Sequence, residues 1–527
     1  MTTTPHSTSF VRPSRAAGPA AGPSASVAVI GAGPGGLGTA MLLAAKGLKV
    51  TIYERQPAVG GRTGRISLGD YRFDRGPTFF LMPYVLDEIF AAAGRRLADY
   101  VELSRLDPMY RLIMGRAGQS PITIDCTQDI DKMAERIGAI DADDGRAFAR
   151  FITDNRAKLR SFEPVLRKPF RSLADLLDPK LIAAAPHLHP TQSVHSLLGS
   201  YFKNKYSKLA VSFQSKYLGM SPMKCPALFS ILPFIEYEYG IWHPRGGCNA
   251  LMTAMAEVCA ELGVDIQTNS PVETITFDGK KANGVVVNGQ RQSHDHIVLN
   301  ADASWAITNL IPPSLRTGTF HANLSPVWSD KKLQSMDYSC STYMLYLGLT
   351  EPVDLPHHTI YISEQYEQNL EDISNLGVLS ADPSTYVCNP ARLDPSMAPP
   401  GHASLYVLVP TSNLKVGSID WATQAAALRE QALDRVSAMI GKPVRPLIAK
   451  ELQLTPQDWL GQNIAFGATF NLAHNLTQML HLRPQHELAG VENVWLAGGG
   501  THPGSGLPVI FLSCQIAANK LAERVGA

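Results

Sequence analysis

The sequence predicts a mixed α/β protein: a parallel, helix-covered core interrupted by a long helical insertion and by a second, separate sheet region. Three observations carry this. Residues 27–54 read as strand, glycine-rich turn, helix, strand and terminal acid. The runs at 296–299 and 494–497 return to buried-strand character, the second entering another glycine-rich loop ahead of a final helix. Between them lie longer helix-like segments at 84–239 and β-branched and aromatic runs at 341–349, 358–362 and 403–409. At 527 residues the chain exceeds the size at which one core stops growing, so at least two domains are expected.

Residues 27–30 form a short apolar run suited to a buried parallel strand. Gly31, Gly33 and Gly36 then fill G-x-G-x-x-G, with Pro34 inside it. Gly31 permits the turn, Gly33 lets backbone approach a pyrophosphate, and Gly36 lets the next helix pack closely on the strand. The helix N-terminus, with its free N–H groups, faces the phosphates. That helix continues through 40–45 and Gly47 ends it; 49–53 is the second strand, closing in Glu54 and Arg55, where an acid can hold ribose hydroxyls. This is a Rossmann-like unit. Gly60, Gly61 and Arg62, with Arg65 beyond, distinguish FAD from NAD: glycines allow close approach and arginine adds a fork-shaped, charge-assisted contact to a pyrophosphate.

In the stretch GDYRFDRGPTFF at 69–80, Asp74, Gly76 and Pro77, with Thr78 next, suggest a turn bringing backbone close to something planar; in flavoproteins of this type that turn meets the isoalloxazine. Helix-like segments follow at 84–93, 130–162 and 194–211, interrupted by Pro164, Pro169, Pro179, Pro186 and Pro190. Residues 251–262 read as an amphipathic helix, 265–267 and 272–275 as strands, Asp278 and Gly279 as a turn, 284–287 as a strand, Asn288 and Gly289 as a second turn, and 296–299 as a strand ending at Asn300, Ala301 and Asp302. Near the end, GGGTHPGSGLP at 498–508 opens a helix running to about Arg524, with Pro508 in its first turn. Such a donor-rich helix start could stabilise the charge that builds on a reduced flavin.

The balance of 47 basic and 46 acidic residues leaves a net charge of +1, which excludes a global field for nucleic acid. Charged residues are 18% of the chain, in keeping with an apolar substrate. Seven dispersed cysteines, never in C-x-x-C spacing, indicate neither a metal site nor a disulfide framework. Residues 1–26, rich in Ser, Thr, Pro and Ala, read as a disordered tail. No secretory leader and no run of 18 apolar residues is found, so a cytoplasmic setting is expected.

After residue 26 the chain resembles the bacterial carotenoid desaturases of the phytoene desaturase type, FAD enzymes with an amine-oxidase-like fold. The matching segments are the dinucleotide motif, GIWHPRGG at 240–247 and THPGSGLP at 501–508, with FQSKYLGMSP at 213–222, SCSTYMLYLG at 339–348 and Arg483 with Pro484 in support. Two details depart from the commonest form: three glycines at 498–500 where Gly-Ala-Gly is usual, and Leu507 where valine is frequent.

The resemblance implies desaturation of a linear C40 or C30 polyene, phytoene or diapophytoene, by hydride transfer to flavin and proton loss, with oxygen or a quinone as final acceptor. It implies FAD contacts at Gly31, Gly33, Pro34, Gly36, Glu54, Arg55, Gly60, Gly61, Arg62, Gly76, Pro77, Thr78, Val272, Asp302, Gly500, Gly506, Leu507 and Pro508. It also implies contact with the cytoplasmic membrane surface, where such a substrate partitions; the aromatic stretch 226–242 would be either that contact or the tunnel wall.

For the proton, the candidates are Glu236 and Glu238, expected to share one face of a strand at 235–239, and His243 and His502 inside the motifs. Alternatives are a related carotenoid oxidase or 3,4-desaturase, another flavin oxidase of this fold, and a non-catalytic prenyl-protein-binding module. The expected division is 27–83, 240–302 and 483–527 for FAD, 84–239 as helical insertion and substrate region, and 303–482 as substrate sheet.

Overall fold

The structure, a computed structural model, describes residues 25–170, 173–319 and 326–527. The tail expected over 1–26 therefore lies outside the described residues up to position 24, and Ser26 already opens the first strand.

The core is a five-stranded parallel sheet in the order Val494–Leu496, His296–Leu299, Ser26–Ile30, Lys49–Tyr53, Asp265–Gln267. The register sets Val29 beside Ile52 on one side and Val298 on the other. The runs 27–30, 50–53, His296–Leu299 and Val494–Leu496 are buried, which is why they read without alternation, whereas the edge strand Asp265–Gln267 is polar and partly exposed. The helix Pro34–Ala45 packs between Cys248–Glu261 and Leu507–Val525 and is buried from Pro34 to Ala44, so it too is apolar all round.

From 272 the chain makes an antiparallel sheet of Val272–Asp278, Lys281–Val287 and Gln290–Ser293 before re-entering the parallel sheet, as the two turn signals predict. The second large sheet has seven strands: Ile448–Leu454, Ser341–Leu349, Ala403–Thr411, Thr385–Cys388, His358–Ile362, Tyr110–Arg116 and Gln119–Cys126. All its pairs are antiparallel except Tyr110–Arg116 against His358–Ile362.

Three expectations are corrected here. The segment 84–239 is not helical throughout, since Tyr110–Arg116 and Gln119–Cys126 form a hairpin that extends the large sheet. The helix-like stretch 130–162 is two helices, Ile130–Gly138 and Ala142–Leu166, because the Asp141 side chain accepts the N–H groups of Asp143 and Asp144 and starts a new one. The alternation at 235–239 is not a strand: these residues end the helix Ile231–Tyr239. At about 100° per residue Glu236 and Glu238 diverge, so Glu236 is buried while Glu238 meets Arg156 at the surface.

Candidate active site

A single cavity of about 840 Å³ runs from the edge of the parallel sheet to the large sheet. One end of it is built from the first glycine turn. Gly31 takes φ +98°, and a Cβ on Gly36 would overlap the Gly31 carbonyl oxygen, which is the close helix packing the motif predicts. The Glu54 carboxylate is 5% exposed; Ala32 N–H donates to its Oε2 at 2.7 Å and Gln56 N–H to its Oε1 at 2.8 Å. Each oxygen keeps acceptor capacity for a ribose hydroxyl.

The second glycine pair stands directly on the first turn. Gly60 and Gly61 have φ +116° and +55°, and a Cβ on Gly61 would lie 3.3 Å from the Gly33 Cα. This approach aims Arg62 along the cavity, where its guanidinium donates to Asp302 at 2.7 Å and to Asn471 Oδ1 at 2.9 Å. Asp302 also caps the helix Ala303–Leu310 through Trp305 N–H. Asn300, at the end of its parallel strand, donates Nδ2 to the Gly31 carbonyl at 3.0 Å.

The turn at 75–78 is clamped by the large sheet. Tyr346 donates its hydroxyl to the Arg75 carbonyl at 2.6 Å and Tyr406 to the Gly76 carbonyl at 2.8 Å, while Thr78 Oγ1 and the Tyr386 hydroxyl lie 2.6 Å apart. A Cβ on Gly76 would sit 2.7 Å from the Arg62 carbonyl oxygen, so this turn and the arginine segment touch.

The C-terminal loop hangs on Arg483, which is fully buried and donates to the carbonyls of Gly499, Thr501, Leu472 and Ala473 at 2.9–3.3 Å. Ser505 N–H donates to His474 Nε2 at 3.1 Å, a contact that needs a neutral imidazole, and burial holds the His474 pKa well below its ordinary value. Gly506, at φ +106°, leads into Leu507–Val525, whose start opens on the cavity.

Beyond this end the walls turn apolar: Phe79, Leu81, Phe213, Leu232, Ile235, Ile360, Ile362, Leu408 and Trp459.

Of the expected cofactor residues, Gly31, Gly33, Pro34, Glu54, Arg55, Gly61, Arg62, Gly76, Pro77, Thr78, Val272, Asp302, Gly500, Gly506, Leu507 and Pro508 line this one cavity. Gly36 and Gly60 shape the turns behind it.

The four proton candidates lie off its wall. Glu236 accepts from Tyr110 at 2.9 Å and Gln214 at 3.1 Å, and burial raises its pKa to about 7 against these hydrogen bonds. Glu238 receives the Arg156 fork at 2.7–3.1 Å. His243 lies 3.2 Å from Asp394 and 3.1 Å from His357. His502 Nε2 lies 2.9 Å from the Lys168 carbonyl, and burial lowers its pKa to about 3, so it stays neutral.

Asn300, Asn471 and Lys216 on the cavity wall escaped the sequence reading. Asn300 carried a signal as the residue ending a buried parallel strand, and Lys216 as part of the segment FQSKYLGMSP; Asn471 carried none.

The chain matches the family described as "Flavin containing amine oxidoreductase" over residues 34–522. It is 40% identical over 501 residues to the 4,4'-diapophytoene desaturase (4,4'-diapolycopene-forming) of Methylomonas sp, covering 94% of this chain and 95% of that one. It is 37% identical over 510 residues to the all-trans-zeta-carotene desaturase of Myxococcus xanthus, covering 95% and 94%. Among solved structures an oxidoreductase from Methanosarcina mazei superposes with a TM-score of 0.62 at 16% identity, over 93% of this chain and 99% of that one, a likeness of fold. The chain belongs to the flavin containing amine oxidoreductase family and, within it, to the carotenoid desaturases of the phytoene and diapophytoene type.

Proposed function

We propose that the protein is an FAD-dependent desaturase that introduces conjugated double bonds into a linear C40 or C30 polyene at the membrane surface. One observation carries the reading: the cavity is continuous from a nucleotide-shaped cleft at Glu54 and Gly33 to an apolar channel at Phe213, Leu232 and Ile360. A hydrocarbon chain and a dinucleotide can therefore meet at the turn 75–78.

FAD fits the residues present. Glu54 suits the ribose, the N-terminus of Pro34–Ala45 and Arg62 suit the pyrophosphate, and the start of Leu507–Val525 suits the pyrimidine end. When bound, the flavin supplies the two-electron acceptor for a hydride from an allylic carbon. The chain's own part is to hold the polyene across that ring and to keep water out, which the large sheet does by clamping 75–78 through Tyr346, Tyr406 and Tyr386.

No described helix is long and apolar enough to cross a membrane. The stretch 226–242 is mostly interior, with Phe234 and Tyr237 buried and Leu232 and Ile235 on the cavity wall, which favours the tunnel over the membrane role. The better membrane contact is formed by Leu177, 72% exposed, and Ile182, 57% exposed on the helix Pro179–Leu188.

The test is expression in cells that accumulate either phytoene or diapophytoene, with pigments separated by chromatography. A new conjugated product from one of them is expected, and none from either would overturn the proposal.

A further inference from the structure

We propose that Lys216, as a neutral amine on the cavity wall, accepts the proton that the polyene loses. The inference rests on the desaturase reading and names the base within that same site. Lys216 lies on the short helix Phe213–Leu218 and faces the cavity with Cys340, Thr342 and Tyr366. Among the described residues its amine has a single, long hydrogen bond, to Asn369 Oδ1 at 3.4 Å, and it stands 5.1 Å over the Tyr366 ring. Among the described residues no ion pair joins it to a carboxylate. Lys216 is half-buried, whereas Lys158, a fully buried lysine, is tied to Ser230 Oγ at 2.7 Å and lies off the cavity wall.

A hydrocarbon offers an ammonium nothing to bind, and burial without a counter-ion disfavours the charge. Desolvation accordingly brings the Lys216 pKa down to about 8, with a small opposing effect from Cys340. A fraction of the amine is thus neutral at pH 7, and most of it above about 8.

The amine shares its cavity wall with the turn at 75–78. Ser339 N–H donates to the Asn471 carbonyl at 2.9 Å, Asn471 accepts from Arg62, and the next residue, Cys340, donates its N–H to the Gly219 carbonyl at 3.1 Å. These contacts stitch the Lys216 segment to the cofactor end of the cavity.

In the step, one C–H of a CH2–CH2 unit leaves as hydride to the bound flavin, the oxidant, which is reduced by two electrons. The neighbouring C–H breaks heterolytically, its electron pair becomes the new π bond, and its proton forms an N–H bond on Lys216 Nζ. The ammonium then rests against Asn369 Oδ1 and the Tyr366 face until water removes the proton.

The titratable groups around the amine are Cys340 from the segment before Ser341–Leu349, Tyr366 from Tyr366–Glu371, and Tyr217 on its own helix. Burial raises Cys340 to about 12 and both tyrosines above their ordinary value, so all three keep their protons while the amine titrates.

The test measures anaerobic flavin reduction in the FAD-loaded enzyme with phytoene or diapophytoene in phosphatidylcholine vesicles. Wild type should speed up with rising pH through about 8. Lys216→Met, which removes the desolvation cost and should fold, should lose about 10²-fold in kcat with KM and flavin content unchanged and with the pH dependence gone. Lys216→Arg should be equally slow, and added methylamine should restore rate to Lys216→Ala. Retention of wild-type rate by the Met or Arg variant, or persistence of the pH dependence in Lys216→Met, overturns the inference while leaving the desaturase reading intact. A wild type that desaturates neither polyene overturns both.

Discussion

The guanidinium of Arg62 lies 2.7 Å from the carboxylate of Asp302, 240 residues away, and that carboxylate in turn caps the helix Ala303–Leu310. Two separate sequence segments expected at the cofactor are thereby one structural unit, with Asn471 as its third member.

Arg62→Ala should weaken FAD binding by roughly 10–100-fold, the worth of a charge-assisted contact. Asp302→Asn should weaken it less, since Asn can still cap the helix. Fluorescence titration of apoprotein with FAD gives both constants.

Gly36→Ala should destabilise the protein by at least about 2 kcal/mol and abolish retained flavin, because its Cβ would meet the Gly31 carbonyl and cannot be accommodated without moving the turn. Gly461→Ala, with no neighbouring atom within 4 Å, should shift stability by under about 0.5 kcal/mol. Thermal denaturation and the absorption of the purified proteins distinguish the two.

Glu236 has a folded pKa raised to about 7 by burial, so the native state binds a proton that the unfolded chain has released. Stability from this group should therefore be highest below the ordinary glutamate range and fall as pH rises through about 7, by an amount on the order of 3 kcal/mol. Asp74, raised to about 6 chiefly by burial, acts in the same direction. Glu236→Gln should flatten the loss, so that its melting temperature exceeds wild type at pH 8 and not at pH 5.

Arg483→Lys replaces a planar fork serving four carbonyls with one point charge. A loss of about 3 kcal/mol is expected, with faster hydrogen exchange in 498–506 than elsewhere. Uniform exchange across the chain would contradict the role given to Arg483.

Leu177→Glu with Ile182→Glu should reduce sedimentation with phosphatidylcholine vesicles at least about tenfold, given the apolar area lost from the lipid face. Turnover of detergent-dispersed polyene should be unaffected. Undiminished vesicle binding would move the membrane contact elsewhere.

Much of this was legible in the chain itself. The strand at 27–30, the acid at Glu54, the turns at Gly279 and Gly289, and the strands Ser341–Leu349 and His358–Ile362 obey local rules, namely buried runs, φ-demanding glycines and β-branched patterns, and the structure places them where those rules do. The stretch 235–239 misled because charged and aromatic residues alternate there on a helix whose environment differs from side to side. Period-2 polarity over five residues cannot tell that apart from a strand.

The sequence by itself determined the nucleotide unit and the family, because both rest on short-range geometry: a glycine needed for a left-handed turn or a close approach leaves its mark at a fixed spacing. The tertiary structure alone decided how Arg62 meets Asp302 and Asn471, how three tyrosines clamp the turn at 75–78, and that Lys216 stands on the cavity wall with no carboxylate paired to it among the described residues. Those facts depend on elements brought together from as far as hundreds of residues apart. Burial and the absence of a nearby opposite charge belong to the packed chain, and no spacing in the sequence encodes them.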